Sequence, residues 1–187
     1  MMGVKRLAIA VPAVSAAVLT SMAILHAEGP RKAHARLSGY QENLTLSTPA
    51  HGTLDLALAE NGQSLDYKLI YDGIATPVLF AHIHLGRPAI NGGIMVFLCT
   101  NGTPPVGAPV PPKCPQVGGT VTGTLTAADV IGPTGQGIAP GEFNEFIAAL
   151  RAQAAYGNVH SQTFPGGEIR GAIGFGGNDD GEDRDDD

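Results

Sequence analysis

Apolar and polar residues alternate along much of this chain. Thr53 to Ala59 puts Leu54, Leu56 and Leu58 on one face, the period-two pattern of a half-buried strand. Leu65 to Tyr71 repeats the pattern with Leu65, Tyr67, Leu69 and Tyr71. Asn61-Gly62 stands between these runs, and both residues tolerate positive φ, so a tight antiparallel hairpin is predicted. From Val78 to Leu98, two runs rich in Val, Ile and Phe flank a Gly/Pro/Asn segment, which reads as strand, loop, strand. Ala33–Leu37, Thr120–Leu125, Tyr156–His160 and Glu168–Ile173 supply further strands, and Thr126 with Asp129 predicts a short helical start. Helical spacing is found in Glu142–Arg151, where Phe143, Phe146, Ile147 and Leu150 fall at i, i+3, i+4 and i+7. Many short strands with regular turns predict an all-β fold: an antiparallel β-sandwich or Greek-key-like barrel with one packed amphipathic helix.

The ends of the chain do not share this pattern. Lys5 and Arg6 precede an apolar run from Leu7 to Leu25, and Ala27 offers a small residue for cleavage. Residues 1–27 therefore read as a secretory signal. The run is nearly long enough to span a bilayer, so retention as an anchor is the alternative. At the other end, residues 178–187 hold seven acidic side chains and one arginine, a composition expected to be disordered. Residues 28–177 are left as one domain, long enough to bury a core.

Charge narrows the partners. The formal net charge of −6 becomes −8 once the two N-terminal cations are set aside, and the acidic tail carries −6 of that. The body is about −2 and has no basic patch with interleaved aromatics, which argues against nucleic acid as a partner. A protein or ligand of the envelope or extracellular space is expected instead, with a membrane involved only if the N-terminal segment is retained. Cys99 and Cys114 are the only cysteines. In an exported chain they predict one disulfide closing a Pro-rich loop. A Cys-x-x-Cys redox motif is absent, as are a Gly-x-Ser-x-Gly elbow and an EF-hand loop.

The chemistry with most promise lies in the histidines. Strand alternation puts Phe80, His82 and His84 on one face, and Tyr156, Asn158 and His160 on one face of another strand. If the two strands lie together, His82, His84 and His160 form a three-imidazole set suited to copper or zinc. A His-x-His strand also supplies ligands in the β-sandwich of copper–zinc superoxide dismutase, an analogy of fold only. In the competing reading the histidines are structural, with Glu168 and Arg170 as their ionic partners. His34 and His51 are expected at the surface, one of them being the alternative fourth ligand.

Leu37-Ser38-Gly39-Tyr40-Gln41-Glu42, the hairpin ending in Leu65-Asp66-Tyr67, and Ala81-His82-Ile83-His84 recur as a set in one family. So do Tyr156-Gly157-Asn158-Val159-His160-Ser161 and Pro165-Gly166-Gly167-Glu168-Ile169-Arg170-Gly171. Together they resemble a CHRD domain, the module first described in chordin and widespread in exported bacterial proteins. The resemblance covers roughly residues 33–174 and implies one β domain. The Cys99–Cys114 insertion and the acidic tail depart from the family pattern. The resemblance bears on the fold more than on the function; the residues as a whole read as an exported binding or structural module rather than an enzyme, with a copper- or zinc-binding protein of redox or sequestering activity as the alternative.

Overall fold

Strands β2 (His51–Leu58) and β3 (Leu65–Asp72) form the predicted hairpin, with Leu54 paired to Leu69 and Leu56 to Tyr67. The turn is wider than Asn61-Gly62 predicts. Leu58 pairs with Leu65, and the Ala59 N–H donates to the Ser64 carbonyl at 2.9 Å. Only Gly62 adopts positive φ, at 67°, while the Asn61 carboxamide accepts from the Gln63 N–H at 3.0 Å. That local bond builds an Asx-type turn in place of a two-residue hairpin turn.

The computed structural model describes residues 30–103 and 106–175. The predicted signal segment and the acidic tail lie outside the described residues. The remaining strands are β1 (Lys32–Ser38), β4 (Val78–Leu85), β5 (Ile94–Thr100), β6 (Gly119–Leu125), β7 (Ala155–Ser161), β8 (Ile169–Ala172) and β9 (Gly174–Phe175). All pair antiparallel in one sheet of order β5-β4-β7-β8-β1-β2-β3-β6, with β9 beside β1. Of the two predicted architectures the structure adopts the barrel. Its terminal strands β5 and β6 approach each other, leaving it nearly closed. Across this seam the Tyr67 hydroxyl donates to the Leu98 carbonyl at 2.6 Å, and the Ile131 N–H donates to the Met95 carbonyl at 2.9 Å.

The interior is filled from all sides. Leu54, Leu65, Leu69, Ile83, Val96, Val159 and Ile169 have no exposed surface, each contributing about 1.5–3 kcal/mol of burial. Helix α1 (Phe143–Arg151) buries the predicted Phe143, Phe146, Ile147 and Leu150 and packs against β9, next to the start of β1. Before it, the Asp129 carboxylate accepts from the Thr126 N–H and hydroxyl, and the segment makes one 3-10 turn, Ala127–Asp129, the short helical start that the sequence predicts. Cys99 and Cys114 form the predicted disulfide. The Asn101 carboxamide reinforces the base of that loop by donating to the Val78 and Cys114 carbonyls at 2.8 and 2.9 Å.

One wall of the barrel departs from simple alternation. In β3 every second residue is exposed, whereas Ala81 to Ile83 and His84 of β4, all of β7, and Ile169 to Gly171 of β8 are buried. The inner face is apolar: a Cβ built on Gly157 would stand 3.0 Å from Leu54 Cδ2. The outer face carries Tyr156, Asn158, His160, His82 and His84, and loops cover it. This wall lies between two cores, one apolar and one polar.

Candidate metal centre

The outer core is assembled by register. β4 runs antiparallel to β7, placing Phe80 opposite His160, His82 opposite Asn158 and His84 opposite Tyr156. Ring centroids are 5.3 Å apart for His82–His84, 5.1 Å for His82–His160 and 6.1 Å for His84–His160. One ligand atom from each of the three lies within 4.8 Å of the others. Two residues close in sequence and a third more than seventy positions on are thus brought to one point by strand pairing alone.

The three imidazoles are 2 %, 7 % and 7 % exposed for His82, His84 and His160. His84 Nδ1 donates to the Gly92 carbonyl and His160 Nδ1 to the Pro165 carbonyl, both at 3.0 Å. A neutral ring that gives its proton through Nδ1 keeps its lone pair on Nε2. The Nε2 atoms of His84 and His160, and both nitrogens of His82, are buried without a hydrogen-bond partner in the protein. Burial holds His82 down to about 2, with the neighbouring His160 and His84 adding to the effect. Burial likewise lowers His84 to about 4, against its bond to Gly92 and together with the charge of Arg170. His160 falls to about 4, again chiefly through burial and against its bond to Pro165. All three rings are neutral at physiological pH and present free lone pairs.

Aromatic rings surround this set. Phe80 stacks on His82 with centroids 4.7 Å apart and tilts against His160 at 4.7 Å. Phe97 meets His82 edge-on at 4.2 Å, and Tyr156 lies parallel to His84 at 4.8 Å. The Arg170 guanidinium covers the Tyr156 ring, 3.4 Å from its centroid. Because β7 lies between β4 and β8, that ring stands between the guanidinium and His84.

The bonds of Arg170 and Glu168 among the described residues do not go to the histidines, whose ionic partners the structural reading made them. Arg170 donates instead to the Arg87 and Ile90 carbonyls and to the Asn91 carboxamide, tying the loop of residues 86–93 down over the site. Glu168, fully buried, accepts from the Thr48 hydroxyl and the Ala75 N–H at 3.0 Å each. Neither touches an imidazole through a hydrogen bond among the described residues. The reason is directional: Glu168 precedes β8 and turns toward the 48–50 loop, while Arg170 reaches across Tyr156. His34 and His51 lie elsewhere, bonded to Asp55 at 2.7 Å and to the Pro49 carbonyl at 3.1 Å.

Several contributors were not singled out by the sequence. Gly92 bonds His84 through its carbonyl and donates its N–H to the Tyr156 hydroxyl at 3.2 Å. Glu42 accepts from the Asn158 carboxamide at 2.6 Å. Burial pushes its carboxyl up, against that bond and the charge of Arg170. The placement of Tyr156 and Asn158 on the His160 face was the available signal; the Gly92 and Glu42 contacts depend on loop paths that alternation does not encode.

The sequence model of the CHRD domain matches residues 33–173. The chain belongs to the CHRD family. The matched region of this CHRD domain runs from β1 through β8 and encloses His82, His84, His160, Glu168, Arg170 and both cysteines. Comparison with curated proteins finds no match.

Proposed function

We propose that this CHRD domain is a transition-metal binding module, with His82, His84 and His160 as the ligands and copper or zinc as the ion. The observation that carries the reading is the set of orphaned nitrogens, buried and neutral, on three rings that each offer a nitrogen within 4.8 Å of the others, two of them fixed by carbonyls through their other nitrogen. Such carbonyl partners are what orient metal-binding imidazoles in general. Leaving buried polar atoms unpaired costs about 1–3 kcal/mol each, and a bound cation would remove that cost for three of them at once. Ligation at about 2.0–2.1 Å requires nitrogens about 3.3 Å apart in a tetrahedral set, so modest ring rotations accompany binding.

A purely structural role for the histidines has less support. It needs hydrogen-bond partners, and the bonds that Glu168 and Arg170 make go to Thr48, Ala75 and the loop of residues 87–91, with Glu168 Oε2 left unpaired and no imidazole among the partners. The reading as a partner-binding module without metal draws on the exposed Val106 and Val110 of the Pro-rich loop. Export belongs to either reading, since the Cys99–Cys114 disulfide suits an oxidising compartment.

Elemental analysis of untagged protein purified from its own compartment tests the proposal. One equivalent of copper or zinc is expected, with His84→Ala losing it while retaining its β-sheet circular dichroism. A folded protein that carries no transition metal and takes up none on titration would leave the metal-free module as the function.

A further inference from the structure

We infer that the site is built for Cu(I) in preference to a divalent ion, an inference that rests on the three-histidine reading above. The cluster holds imidazoles alone; no carboxylate or thiolate joins it among the described residues. Its donors are therefore neutral, and nothing in the ligand set offsets ionic charge.

The surroundings act in the same direction. Phe80, Phe97 and Tyr156 wall the imidazoles, and the ligand nitrogens are shielded from solvent. The cost of charging such a medium grows with the square of the charge, so a dication pays roughly four times what a monocation pays. The fixed charge felt at His84 is that of the Arg170 guanidinium, which repels a dication twice as strongly as a monocation. Glu42 also senses the charge of Arg170, but it bonds the Asn158 carboxamide at 2.6 Å and lies outside the ligand cluster.

Coordination number adds a separate argument. Zinc in a three-histidine site takes a fourth ligand, ordinarily water. A monovalent, polarisable d10 ion is satisfied by three neutral donors, and imidazole is among those copper accepts. The aromatic walls favour the ion that does not need the extra ligand.

The test compares two titrations of the untagged protein. Cu(I) is offered anaerobically from its bicinchoninate complex with ascorbate present, and Zn(II) is offered against a chromophoric zinc indicator. One equivalent of Cu(I) should transfer, with a Kd at least 1,000-fold below that for Zn(II), and His84→Ala should abolish the transfer. Arg170→Gln, checked for folding by circular dichroism, should raise Zn(II) affinity at least tenfold and so narrow the ratio. Stoichiometric Zn(II) binding as tight as Cu(I) binding would overturn the preference and leave the metal site standing. Failure to bind either ion would overturn the preference and the site together. The wild-type comparison decides the matter even if the Arg170 variant does not fold.

Discussion

The carbonyl of Gly92 accepts the Nδ1 proton of His84 at 3.0 Å, so the loop between β4 and β5 sets the orientation of an imidazole in the strand before it. A side chain on Gly92 would collide with the Leu85 carbonyl. Gly92→Ala should therefore displace the loop, release His84 and break the Tyr156 hydroxyl contact, costing about 2–4 kcal/mol. Urea denaturation gives the stability change. An unchanged midpoint would mean that the loop does not hold the ring.

Acid should destabilise the metal-free protein. The unfolded imidazoles titrate near 6.5, while His82 is held at about 2 and His84 and His160 at about 4 in the folded state. The folded values lie below the unfolded one, so the unfolded chain takes up protons first as pH falls. Their stabilisation is complete above about pH 6.5 and is lost progressively as pH falls, toward about 4 for His84 and His160 and on toward about 2 for His82, by up to about 1.4 kcal/mol per pH unit for each ring. Glu42, raised from 4.5, slopes the other way in its own window, but it is one group against three. The urea midpoint at pH 5 should fall below that at pH 7. Equal midpoints would contradict buried neutral imidazoles.

Reducing the Cys99–Cys114 bond should weaken the fold without dissolving it, because the barrel core forms independently of the 101–113 loop. Closing a loop of this size is worth about 3 kcal/mol, which corresponds to a melting-temperature loss of about 6–12 °C for a domain of this length. Calorimetry with and without reductant measures it. Complete unfolding on reduction would show that the loop is integral to the core.

Phe146 is fully buried on the inner face of α1. Phe146→Asp puts an unpaired carboxylate there and should destabilise by at least about 3 kcal/mol, enough to lower soluble yield. Deleting residues 178–187 is the matched control, expected to leave the melting temperature unchanged. A large loss on that deletion would place the domain boundary further along the chain than residue 177.

The strands were legible because most of this barrel is wet on one side. β2 and β3 expose alternate residues, so period two survives in the sequence. The disulfide was legible because the chain has only two cysteines. The histidine cluster followed from alternation plus one assumption, that β4 and β7 are neighbours, which pairing of Phe80 with His160 supplies. The errors occur where side chains choose between distant partners. Glu168 and Arg170 share a strand parity, yet one bonds Thr48 and the other the 87–91 loop. The hairpin turn was misjudged because the Asn61 side chain bonds locally to Gln63 instead of letting its backbone turn.

The strand order has a consequence in time. His82 and His84 emerge with β4, but His160 arrives on β7, after six strands and the helix have been made. No shorter piece of the chain can gather the three rings, and such long-range pairing is slow to form. A nascent chain therefore cannot assemble the three-imidazole set, and anything that needs all three rings can be held only once β7 has paired with β4.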